Sequence, residues 1–189
     1  MQVKFSAPID AVYAAFTDPE FLEQRSLDLG ELSADCKVKK AGTGHAVTMK
    51  RKVERELPSF LARLFNPVQQ IVIEEKWSDD GDGGKEATYL LTVTGQPVEV
   101  SATISLRPAG KGCVYEIGHR AKARIPLIGG QIERFVLGQT EAGCKDELDY
   151  MARELKGAAS KAAAPAKATA KAPAKAPAKA TAARKAPKK

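Results

Sequence analysis

The chain has few of the residues that most often announce a chemistry. Among 189 residues there are two histidines, His45 and His119, and three cysteines, Cys36, Cys113 and Cys144. The histidines lie outside any HExxH or triad pattern, and no serine or cysteine sits in a nucleophile elbow. No companion ligand cluster accompanies them, so neither a metal site nor a cofactor is expected. The cysteines are odd in number, far apart and outside any CxxC spacing, which argues against a disulfide framework and suits a reducing cytoplasm. No apolar run approaches the ~18 residues of a membrane span, and the N-terminus lacks a signal peptide's basic region and apolar core. The expectation is a soluble, cytoplasmic protein with no transmembrane segment. The one calcium-like string, SDDGDGGK at residues 78–85, lacks a twelfth-position Glu and reads as a solvated hairpin turn.

What is present divides the chain in two. Residues 158–189 contain sixteen Ala, eight Lys, one Arg and four Pro, with no acid and no aromatic. Removing those nine charges from the net +7 leaves residues 1–157 at about −2. The basicity therefore belongs to a tail and the body is a near-neutral globular domain. In the tail, Lys167, Lys171, Lys175 and Lys179 recur every four residues, but Pro173 and Pro177 interrupt the repeat, which favours an extended, disordered segment. With Arg184 and Lys185 these lysines can contact nucleic-acid phosphates or an anionic surface without sequence choice, and no aromatic is available to stack on bases. The tail resembles those of linker-histone-like proteins. Equal retention on DNA at moderate salt by the full chain and by residues 1–157 alone would dismiss the nucleic-acid reading.

The body is read in order from its periodicities. Val3 and Phe5 mark a short strand, and Pro8 precedes a helix carrying Ile9, Val12, Tyr13 and Phe16 on one stripe. Asp18-Pro19 breaks that helix, and residues 20–25 add another short one. Strands follow at period two. Leu32, Ala34, Cys36 and Val38 alternate with polar residues, then Val47, Met49 and Val53, then Ile71, Ile73 and Trp77, with further strands at 87–94, 98–106 and 113–125. Between the second and third lies a short segment apolar on more than one side, with Leu57, Phe60, Leu61, Leu64 and Phe65. It must bury two faces or roof an opening. Residues 129–155 then form a long amphipathic helix whose stripe comprises Ile132, Phe135, Val136, Thr140, Gly143, Leu148, Met151 and Leu155. Gly138 and Gly143 cost about 1 kcal/mol each relative to Ala there, so each needs a local cause: room for a ligand, or, slightly favoured, close approach to the sheet or a kink.

This order, together with residues 3–19 (VKFSAPIDAVYAAFTDP) and residues 125–133 (IPLIGGQIE), resembles the START-like helix-grip superfamily, also called SRPBCC, over residues 1 to about 156. That superfamily includes plant pollen-allergen-like proteins and polyketide cyclases, and the likeness is greatest to a bacterial branch known as a domain of unknown function. The resemblance implies an α+β fold in which a curved antiparallel sheet grips the C-terminal helix around a hydrophobic cavity. Members bind lipids, sterols, polyketides or other apolar molecules, and some are enzymes, but they share no catalytic motif.

Strand parity nominates the polar groups that share the inward face. Arg51 follows Met49, Glu75 lies between Ile73 and Trp77, and His119 follows Tyr115 and Ile117. A buried charge needs a partner, so Arg51 with Glu75, or Glu75 with His119, are candidate pairs. Alternatively a bulge returns them to solvent, or they only satisfy one another. The candidate ligand-binding set is completed by Phe60 and Leu64 from the roof and by Phe135, Val136 and Gly143 from the helix. Glu75 and His119 are also the weak catalytic candidates, as acid and base on a carbonyl compound. Three functions follow. The preferred one is non-enzymatic binding of an apolar or amphipathic, lipid- or polyketide-like small molecule. The others are a cyclase or hydratase, and an interaction module tethered to nucleic acid by the tail with residues 57–65 docking a partner. Oligomeric state and ligand identity are not legible.

Overall fold

A computed structural model describes residues 1–163 apart from residue 64, with side chains as far as residue 157 and without that of Phe60. The elements are β1 (Gln2–Phe5), α1 (Ile9–Phe16), α2 (Pro19–Asp28), β2 (Ser33–Ala41), β3 (Gly44–Glu54), α3 (Ser59–Ala62), β4 (Val68–Asp79), β5 (Lys85–Val93), β6 (Val98–Ala109), β7 (Gly112–Ala123) and α4 (Gly129–Ala163). All seven strands join one sheet in the order β1-β7-β6-β5-β4-β3-β2, and every pairing is antiparallel.

Alternation in the sequence becomes the two faces of that sheet. In β6, Val98, Val100, Ala102, Ile104 and Leu106 are all buried, while Ser101 and Thr103 between them are exposed. The Asp18-Pro19 pair that ends α1 also starts α2: the Asp18 carboxylate accepts from the backbone N–H groups of Glu20 and Phe21 at 3.0 and 3.3 Å, and Pro19 occupies a first-turn position, where it has no N–H to leave unpaired. The acidic turn before β5 satisfies itself, Asp80 Oδ1 accepting from the backbone of Asp82 and Gly84 at 2.9 and 2.8 Å. Gly81 and Gly83 there adopt positive φ, which glycine does without steric cost.

Several boundaries differ from the periodicity, two of them with a plain physical reason. Leu32, expected inside with Ala34, Cys36 and Val38, is 50% exposed. The chain is still turning at that point, with the Glu31 N–H bonded to the Ser26 carbonyl, and the strand begins only at Ser33. The last helix extends beyond residue 155 to Ala163, because the segment KGAASKAA is rich in the strongest helix former. It thus crosses the compositional boundary at residue 157. Lys167, Lys171, Lys175, Lys179, Arg184 and Lys185 lie outside the described residues.

The helix α4 faces the sheet but is not packed along its whole length. Ile132, near its start, joins an apolar cluster with Leu61, Phe65, Val98 and Ala123. Leu148 and Met151, further along, join the main core. Between them Phe135, Val136, Thr140 and Gly143 are only half-buried. The helix is held most firmly at two places, and between them Phe135, Val136 and Cys144 pack only in part against the two clusters. This is the helix-grip arrangement of an α+β fold.

Candidate functional site

The gap under the middle of α4 is a cavity in which the space open to the centres of water-sized molecules is about 210 Å³. Its floor is the inward face of the sheet, including Met49, Ile73, Tyr115 and Ile117. Its ceiling is the helix, through Phe135, Val136, Thr140 and Gly143. Leu57, Leu61 and Phe65 around α3 close one end, and Leu61 and Phe65 pack there against Ile132. The described part of that over-apolar segment therefore roofs the cavity. Leu29, Gln139 and Asp146 border the cavity and are themselves exposed, which locates its mouth between the end of α2 and α4.

Arg51, Glu75 and His119 all line the cavity, on the face that strand parity assigns them. The pairings expected among them do not form. Among the described residues no hydrogen bond or ion pair joins Glu75 to Arg51 or to His119. Arg51 instead donates from Nη1 to Glu147 Oε1 of α4 at 2.6 Å, and the same nitrogen lies 3.8 Å from Glu31 Oε1. Glu147 bridges to a second buried arginine, Arg25 of α2, at 2.7 Å, while Arg55 reaches Glu31 at 3.3 Å. Five charges thus tie α2, β3 and α4 into one network. Reading each strand by its own parity could not reveal a partner on another element. Trp77 is a further correction. It is buried, but against Tyr13 and Phe16, with ring centroids 5.6 and 5.3 Å away, and it does not line the cavity. Phe60, by its side chain, and Leu64 lie outside the described residues.

The surroundings set the charge states. Burial alone would raise the Glu147 carboxyl, but Arg25 and Arg51 outweigh it and hold the group down at about 2. Arg51 is penalised by burial and more than compensated by Glu147 and Glu31, so its pKa moves up. Glu75 goes the other way: burial raises it, and the Trp77 indole, which donates to Glu75 Oε2 at 2.7 Å, offsets only part of that. His119 is shifted down by burial, with Glu141 opposing, and its ring meets Tyr89 edge-on at 5.7 Å. Cys144, also on the cavity wall, is pushed up to about 12 by burial, leaving an unreactive thiol.

Gly143 resolves one of the sequence questions. A Cβ built at Gly143, or at Gly138, meets no atom within 4 Å, so neither glycine is required by close approach to the sheet. At Gly143 the open space is the cavity itself. Residues missed by sequence reasoning include Arg25, Glu31, Tyr89 and Glu147. Glu147 had a signal, since it lies four residues after Gly143 and four before Met151, a carboxylate on the buried stripe of its helix. Among the described residues no group of three or more metal-ligating side chains comes together, and no helix is long and apolar enough to cross a membrane.

Fold and cavity together define a helix-grip domain. Solved structures share the architecture. TTHA0849 from Thermus thermophilus matches with a TM-score of 0.58 at 16% identity, covering 84% of this chain and 96% of its own. Ara h 8.0201 matches at 0.52 and 12%, covering 83% and 95%. The chain belongs to the family described as Protein of unknown function (DUF2505), whose model matches residues 1–155. The uncharacterized protein Rv0481c of Mycobacterium tuberculosis is 23% identical over 150 residues, spanning 72% of this chain and 83% of its own, and Mb0491c of Mycobacterium bovis matches to the same extent.

Proposed function

We propose that the domain binds an apolar or amphipathic small molecule in the cavity between the sheet and α4. The observation that carries this reading is the cavity enclosed between the sheet and the middle of α4. Phe135 and Val136 pack against the neighbouring clusters on one side and, half-buried, line the cavity on the other, while a Cβ at Gly143 would meet only open space. Apolar side chains left facing a gap forgo packing that a flat helix would have gained, and an occupant supplies it. Such a mostly apolar, concave site with a few placed polar groups is the usual makeup of a small-molecule pocket.

The test uses N-phenyl-1-naphthylamine, an uncharged dye that fluoresces on entering an apolar site. Wild-type protein is expected to bind it saturably at one site. In Gly143→Phe the new ring enters the cavity from the ceiling and weakens binding at least tenfold, while thermal stability does not fall because a helix-interior glycine is replaced. Unchanged dye binding in a folded Gly143→Phe protein overturns this reading, as does the absence of saturable binding to wild type.

A further inference from the structure

The cavity has a chemical polarity along its length. At the α3 end its walls are apolar: Leu57, Leu61, Phe65, Val98, Ile132 and Phe135. Toward the later part of α4, where Glu147 meets Arg25 and Arg51, the lining is charged: Arg25, Arg51, Glu31, Glu75 and Glu147, with Arg55, two residues from Leu57, between the two ends.

That end is richer in donors than in acceptors. Three guanidinium groups share the carboxyls of Glu31 and Glu147. Among the described residues the Nε–H groups of Arg25 and Arg51, each residue 7% exposed, have no partner, against a single unpaired buried acceptor, Glu31 Oε2. Glu75 has Oε2 engaged by the Trp77 indole, and burial shifts its carboxyl towards the neutral form. The Tyr89 hydroxyl, on the same wall, makes no hydrogen bond to the described residues and is held protonated by burial. His119, lowered by burial, adds no positive charge near neutral pH, and Asp146 lies at the exposed rim, where solvent and salt screen it.

We infer that the occupant is an acidic amphiphile, its carboxylate seated beside Arg25 and Arg51 and its apolar body running under α4 toward α3. This rests on the cavity being a binding site and adds the chemistry of its polar end. A carboxylate offers acceptors to guanidinium and phenol donors at once, through charge-assisted bonds about twice as strong as neutral ones. An ammonium head would bring a further cation beside two guanidinium groups whose open positions are donors, and an alcohol, carrying no charge, would forgo the charge-assisted bonds.

The experiment displaces N-phenyl-1-naphthylamine with three compounds of one chain length: decanoate, decan-1-ol and decylamine. Decanoate is expected to displace the dye at a concentration at least tenfold lower than decan-1-ol, and decylamine to be weakest. Equal potency of acid and alcohol, or a preference for the amine, overturns the acidic-head assignment while leaving the cavity reading intact. If neither dye nor any of the three binds, both fall. The triple variant Arg25→Met, Arg51→Met, Glu147→Met removes the ion triad without stranding a charge, an exchange that is commonly tolerated. Its acid preference is expected to shrink to within about threefold, and a tenfold preference surviving in the folded variant overturns the assignment to Arg25 and Arg51. If that variant does not fold, the wild-type series still decides.

Discussion

Glu147→Ala is expected to destabilise the domain by about 3–5 kcal/mol, the range for breaking a buried ion pair from one side. The carboxylate sits between two arginines, 2.7 Å from Arg25 and 2.6 Å from Arg51, and both arginine side chains are only 8% exposed. Removing it leaves Arg25 without its ion-pair partner and Arg51 with only the more distant Glu31, 3.8 Å away. Urea unfolding followed by circular dichroism measures the loss, and a change under about 1 kcal/mol would show that water or local movement solvates the arginines. Acid should act in the same direction. The Glu147 pKa in the folded protein, about 2, lies below its unfolded value, so its contribution is fully present above the ordinary carboxylate range. It is lost as the pH falls from about 4.5 toward 2, on the order of 3 kcal/mol in all. Glu75 has the opposite sign. Its folded pKa is raised, so its contribution is present below the unfolded value and lost as the pH rises through the folded one. Stability is therefore expected to fall steeply on the acid side in wild type and less steeply in Glu147→Gln.

Trp77→Ala is expected to cost about 3–5 kcal/mol, the range for emptying a large aromatic site in a core. Trp77 is 2% exposed and carries α1 on the sheet through Tyr13 and Phe16, while Phe16 stacks on Tyr115 at 5.1 Å and 12°. Trp77→Phe keeps much of that packing and should cost clearly less, but it strips Glu75 of its indole donor. Loss of that donor pushes the Glu75 carboxyl further toward the neutral form. Trp77 is the only tryptophan, so unfolding of both variants must be followed by circular dichroism. Equal losses for Ala and Phe would mean that the hydrogen bond, rather than the packing, dominates.

Much of this was legible because it rests on period alone. The faces of β6, the inward aim of Arg51, Glu75 and His119, and the apolar stripe of α4 all follow from local alternation. What sequence could not supply was which inward-facing group meets which. Arg51 is 96 residues from Glu147, and no spacing rule links a strand to a helix at that distance. Trp77 shares parity with Glu75 yet serves α1 rather than the cavity, because the helix lying over that end of the sheet is set by tertiary packing. Leu32 failed for a local reason, a chain still turning where alternation had been assumed to begin. The glycines failed for a different one. Period reveals that a helix-interior glycine is costly, not whether the space beside it is full or empty.

The pairing of β1 bears on the order in which the chain acquires its shape. From β2 to β7 each strand neighbours the next in sequence, so the ladder can grow hairpin by hairpin with short loop closures. The strand β1 cannot join until β7 exists: the Met1 amino group donates to the Ile117 carbonyl 116 residues away, at 2.7 Å. Only α4 comes later. During synthesis the first strand waits for nearly the whole domain, and the ceiling of the cavity arrives last. Folding is expected to show a slow final phase in which long-range contacts of β1 and α4 form together. Amides of Val3 and Phe5 should then become protected from exchange later than those of β3 to β5.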